Sequence, residues 1–91
     1  MNDVEQDNMN IDLPDWYDEL FEFECESKGC VLNFNVVISG KEKVINFYDL
    51  TRFSQDAESE LNENGYFSDE NAVILPKVTK KNIMSYLYSL V

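Results

Sequence analysis

FEFECESKGCVLNFNVVISGKEKVINFY, residues 21–48, is the stretch whose reading decides the fold. Phe21, Phe23 and Cys25 alternate with Glu22, Glu24 and Glu26. A two-residue period of this kind marks a half-buried strand. Lys28-Gly29 supplies a turn, and from Cys30 to Ile38 the alternation resumes, with Leu32, Phe34, Val36 and Ile38 on one face. Gly40-Lys41 has glycine first, which suits a type II′ hairpin. Lys43 to Tyr48 reads as a third strand with Ile45 and Phe47 inward. Two-residue turns at these places pair Cys25 with Leu32, Phe23 with Phe34, Val36 with Ile45 and Phe34 with Phe47. Each pairing keeps apolar side chains on one face, as a specified register requires. The expectation is a three-stranded antiparallel meander.

Downstream, Asp49 caps a helix whose apolar positions Leu50, Phe53, Ala57 and Leu61 keep helical spacing, and Gly65 ends it. Ala72–Leu75 is a short apolar run closed by Pro76, the pattern of a strand buried on both faces rather than an edge. Thr79 caps a second helix, with Val78 and Ile83 placed as a hydrophobic staple and Ile83, Met84, Leu87, Leu90 and Val91 as its stripe. The expected architecture is α+β in the order βββαβα, a mainly antiparallel four-stranded sheet with two helices. Upstream, residues 13–20 read either as a short helix beginning at Pro14 or as an extended lead-in. Residues 1–12 read as an acidic flexible tail and residues 13–91 as one α+β domain.

The net charge of −11 is unevenly placed. Residues 1–27 carry ten acids and no base, while residues 28–91 carry eight acids and seven bases. The field therefore arises in the first third of the chain. It repels nucleic acid and anionic membrane and attracts a basic protein. No apolar run is long enough to span a bilayer, and the N-terminus bears acids where a signal peptide needs bases. The expected location is cytoplasmic, where Cys25 and Cys30 stay reduced.

Catalytic chemistry finds little to work with. The chain has no histidine, which removes the commonest general base and the Ser-His and Cys-His nucleophile pairs. Cys25 and Cys30 lack CxxC spacing and have no second pair, so they read as small apolar core residues rather than metal ligands. There is no Gly-rich phosphate cradle and no calcium-loop pattern. The expectation is no cofactor, no metal and no enzymatic activity.

What remains is a surface. In the meander, Glu22, Asn35 and Asn46 form one outward cross-strand row and Glu24, Asn33 and Tyr48 the next, with Val31, Val37 and Val44 beside them. Acids and amides edged by apolar residues suit an interface that meets lysine and arginine. Trp16 and Tyr17, set among Asp15, Asp18 and Glu19, read either as protein-binding anchors or as aromatics packed on the sheet edge. The candidate partner-binding set is Asp15, Trp16, Tyr17, Asp18, Glu22, Glu24, Glu26, Asn33, Asn35, Asn46 and Tyr48.

Asn46-Phe-Tyr-Asp-Leu-Thr-Arg-Phe-Ser-Gln-Asp, Gly65-Tyr-Phe-Ser, Asn71-Ala-Val-Ile-Leu-Pro-Lys-Val-Thr and Asn82-Ile, spread over the last half of the chain, resemble small bacterial immunity proteins of contact-dependent inhibition and related polymorphic toxin systems. The resemblance implies a cytoplasmic inhibitor of one cognate toxin protein, with a basic nuclease domain as the expected partner. It carries no residue roles, because recognition positions differ with each toxin. The acidic composition also suits a phage- or plasmid-encoded nucleic-acid mimic that inhibits a host nuclease or CRISPR effector. A third class is a plain subunit whose acidic tail serves solubility.

Overall fold

The computed structural model describes residues 11–91. Seven elements follow in order: β1 (Ile11–Asp12), α1 (Glu19–Lys28), β2 (Cys30–Ile38), β3 (Lys41–Tyr48), α2 (Leu50–Asn64), β4 (Ala72–Ile74) and α3 (Lys80–Tyr88). The fold is α+β, with a four-stranded sheet in the order β1-β2-β3-β4. The sheet is mixed, since β1, β2 and β3 are antiparallel neighbours while β4 runs parallel to β3. Three helices stand where two were expected. Ile11 and Asp12 pair with Ile38 and Val37, so the sheet takes in the last two residues assigned to a flexible tail. The rest of that assignment, residues 1–10, lies outside the described residues.

The main departure is α1, where a strand was expected. The Asp18 side chain accepts the Phe21 N–H at 2.9 Å, capping the helix, and Glu19 and Glu22 occupy the first turn. Lys28 lies in the last turn, and Gly29 closes the helix with φ 77° and its N–H on the Cys25 carbonyl at 2.9 Å. Acids early, a base late and a left-handed glycine after the end all complement the helix termini. The residues alternate, but Phe21 and Cys25 are also one helical turn apart. Cap and dipole chemistry therefore outweighs the period-two pattern.

The hairpin turn is Ser39-Gly40, not Gly40-Lys41. Both residues have positive φ, 52° and 82°, as a type I′ turn requires. The register is Ile38↔Lys41, Val36↔Lys43 and Phe34↔Ile45. This is a shift of two residues from the expected pairing, which leaves every face unchanged. Between Val31 and Phe34 the ladder slips by one further residue, giving Val31↔Phe47 and Cys30↔Tyr48. The slip is a β-bulge with Asn33 at φ 54°. It turns Val31 inward and leaves Leu32 outside.

Successive strand residues point to opposite faces. The Phe47 ring meets Tyr86 of α3 edge-on at 5.9 Å, while the Tyr48 ring meets Phe53 of α2 at 5.5 Å. Helices α2 and α3 therefore cover opposite faces of the sheet. The main core lies on the α3 side. Phe34, Val36 and Phe47 from the sheet join Val78, Ile83 and Leu87, all fully buried, and Tyr17 and Cys25 complete it. Each such side chain contributes about 1.5–3 kcal/mol of burial. The staple residues Val78 and Ile83 flank the cap at Thr79, whose hydroxyl accepts the Asn82 N–H at 3.2 Å.

Helix α2 starts and stops where the sequence indicates. The Asp49 carboxylate accepts the Arg52 N–H at 2.8 Å, and the Gly65 N–H reaches the Leu61 carbonyl at 3.0 Å. Its stripe is only half used. Phe53 and Ala57 are partly buried, while Leu50 and Leu61 project past the sheet into solvent. Strand β4 lies at the sheet edge with Ile74 exposed, not in the interior. Its apolar run suits a parallel edge strand reached by the α2 crossover.

Candidate functional site

Placing Glu22, Glu24 and Glu26 on a helix dissolves the two expected cross-strand rows. At about 100° per residue, Phe21 and Cys25 fall on one side of α1, and Leu20 and Phe23 on the opposite side. Of the first pair Cys25 is buried, while Phe21 is 42% exposed and packs on Trp16. The second faces solvent, with Leu20 and Phe23 each 68% exposed. Glu19, Glu24 and Glu26 are exposed around them, as are Asp15 and Asp18 ahead of the helix. Among the described residues the one ion pair is Arg52–Asp56 at 3.0 Å, so these carboxylates carry no paired base.

Other members of the expected set have structural duties. The Glu22 carboxylate accepts the Lys80 N–H at 3.2 Å, at the start of α3. The Asn46 side chain accepts the Asn33 N–H at 2.7 Å and donates to Asp69 at 3.0 Å, which fixes the bulge. Tyr48 is buried, and burial followed by the nearby Asp69 raises its phenol pKa. Tyr17 is buried edge-on to Phe34 at 5.0 Å, and its hydroxyl has no hydrogen-bond partner among the described residues. Burial, with Glu22 as the next cause, pushes that phenol well above its ordinary pKa. Asn35 is exposed opposite Val44 and makes no side-chain hydrogen bond among the described residues.

Trp16 stays 39% exposed and packs on Phe21 at 5.1 Å and Phe34 at 5.8 Å. Beside it runs a groove of about 510 Å³ between α1 and the bulged part of β2. Trp16, Phe21, Val31 and Leu32 give it an apolar lining, and both cysteines line it as well. Glu24, Lys28 and Arg52 supply charge along it. Cys25 and Cys30 are free and buried, and burial raises both thiol pKa values, keeping them protonated near neutrality. Among the described residues no group of three or more acids or thiols is placed to hold a metal ion, and no helix is long and apolar enough to cross a membrane.

Around α1 the structure thus sets Asp15, Trp16, Asp18, Glu24 and Glu26 near four partly or largely exposed apolar residues, of which the strand reading had turned Phe21, Phe23 and Leu32 inward and left Leu20 unassigned. The usable signal was the stop-and-start chemistry around 18–29. Four apolar residues at 20, 21, 23 and 25 cannot all share one helical stripe. A helix there must expose some of them. Comparison of the chain with protein-family models, with curated proteins and with solved structures gives no match.

Proposed function

We propose that this protein acts by binding another protein, not by catalysis, and that α1 with its lead-in is the contact surface. The carrying observation is the exposure of Leu20 and Phe23, 68% each, between the unpaired carboxylates Glu19, Glu24 and Glu26. Leu and Phe side chains left this open gain about 1.5–3 kcal/mol each on burial. The acids around them select a partner bearing lysine and arginine and speed the encounter. The specific reading is an immunity protein of the cytoplasm, which neutralises a cognate toxin by covering a basic active-site cleft, as in a nuclease. The resemblance of the C-terminal half supports it, as does the acidic first third of the chain.

Immobilised protein, washed at low and high salt, should retain one basic partner from lysate of the source organism. That partner should be toxic when expressed alone and harmless when co-expressed. A Leu20→Asp, Phe23→Asp double variant should lose the partner and the protection while keeping its fold. Full protection by the folded double variant would remove α1 from the interface.

A further inference from the structure

We infer that the groove between α1 and β2 receives an extended segment of the partner, carrying one aliphatic or aromatic side chain next to lysine or arginine. The inference rests on the binding reading above and names what that surface recognises.

Three observations converge on it. First, β1 pairs with β2 only at Val37 and Ile38, so among the described residues the β2 edge from Val31 to Asn35 carries no strand. In a hairpin closed by Ser39-Gly40, Ile38, Val36 and Phe34 direct their backbone groups to β3, and Asn35 directs its own outward. Among the described residues no strand pairs with Asn35 on that side. An unpaired edge of this kind accepts an added strand.

Second, the bulge turns Leu32 out of the core beside that edge. Leu32, Trp16 and Phe21 then line about 510 Å³, room for a large side chain. Central, well-packed apolar pockets are where interface energy concentrates.

Third, the ends of the groove differ in sign. Glu24 stands on one wall without a paired base, whereas Arg52 is held by Asp56 and by the Lys28 carbonyl at 3.3 Å. An incoming base therefore settles toward Glu24, with the apolar side chain beside Trp16, Phe21 and Leu32. Pro14, which has no N–H to donate, stands where β1 would otherwise continue along the edge.

The test uses the full chain, ¹⁵N-labelled, and two blocked peptides, Lys-Lys-Phe-Lys-Lys and Lys-Lys-Ala-Lys-Lys, titrated to millimolar concentration at low salt. Fluorescence of Trp16, the single tryptophan, is read in parallel. Shifts common to both peptides report the acidic surface. The difference between them reports the groove. The Phe peptide should selectively shift the amides of Trp16, Phe21, Leu32 and Asn35 and change Trp16 emission. The exposed-site variant Leu32→Asp should weaken it by about tenfold, the loss of one anchor contact. Equal shifts from both peptides, confined to Glu19, Glu24 and Glu26, would overturn the groove and leave the acidic binding surface standing. Absence of shifts from either peptide would overturn both.

Discussion

The Glu22 carboxylate receives the backbone N–H of Lys80 at 3.2 Å, tying the first helix to the beginning of the last. The contact spans 58 residues of sequence and places a carboxylate at the positive end of α3. Glu22 is thus a brace for the surface its neighbours present.

Replacing Glu22 by Ala should destabilise the protein by about 0.5–1.5 kcal/mol, the net worth of one hydrogen bond, with some added dipole loss. Glu24→Ala, in an exposed position on the same helix, should stay within about 0.5 kcal/mol of the parent. Urea unfolding of the two variants side by side checks this, and equal losses would remove the bracing role.

Gly29 has φ 77°, and a Cβ built there would stand 2.6 Å from the Asp49 carboxylate oxygen. That carboxylate is committed to the Arg52 N–H, and the Asp49 N–H itself bonds the Gly29 carbonyl at 2.8 Å. Gly65 has φ 85° but open space around the same position. Gly65→Ala should therefore cost about 1 kcal/mol, the left-handed penalty alone. Gly29→Ala should cost about 1 kcal/mol more, through the disturbed cap of α2. Thermal midpoints of the two variants give the order.

Tyr17→Phe should stabilise the protein. The buried hydroxyl has no partner among the described residues, and an unsatisfied buried hydroxyl costs about 1–3 kcal/mol. The ring, with its edge-on contacts to Phe34 and Trp16, is retained. A higher urea midpoint at unchanged slope is the expected result. A loss of stability would mean that the hydroxyl holds an ordered water.

Stability should fall in alkaline solution in two stages. Burial raises the pKa values of Cys25 and Cys30, and those of Tyr17 and Tyr48. Each group holds its proton more tightly folded than unfolded. The stabilisation is complete below the unfolded pKa, about 8.5 for a thiol and about 10 for a phenol, and is lost as pH rises through the raised folded values. Urea midpoints from pH 7 to alkaline values should decline past the thiol range and again past the phenol range. A Cys25→Ala, Cys30→Ala variant should lose the first decline and keep the second.

The C-terminal half was legible in the chain because its signals are local. Asp49, Gly65 and Thr79 each bond within three or four residues, and Val78 with Ile83 brackets a single turn. Residues 21–26 misled because two periods coexist in them. Phe21, Phe23 and Cys25 alternate, yet Phe21 and Cys25 also stack one turn apart, and only Asp18 and Gly29 at the two ends decide between strand and helix. The edge position of β4 was hidden for a different reason. Its parallel partner β3 is reached across α2, and no local pattern in Ala72–Ile74 encodes that crossover. The candidate surface was legible as acidic but not as apolar, since a strand reading sends Phe23 inward and leaves Leu20 unassigned.

The additional residue in β2 between Val31 and Phe34 separates what this hairpin conceals from what it shows. Were β2 instead to keep Asn33 in line and hold the Phe34↔Ile45 register to its start, Leu32 would oppose Phe47 and point toward α3, and Val31 would point toward α2, exchanging the inner and outer faces of this end of the strand. A one-residue miscount between two strands is thus the device by which one sequence specifies both a sealed core and an open leucine beside an unpaired edge. Deleting Asn33 would keep Val31 opposite Phe47 and straighten the strand beside Leu32, altering the outer face while the core pairs stay in place.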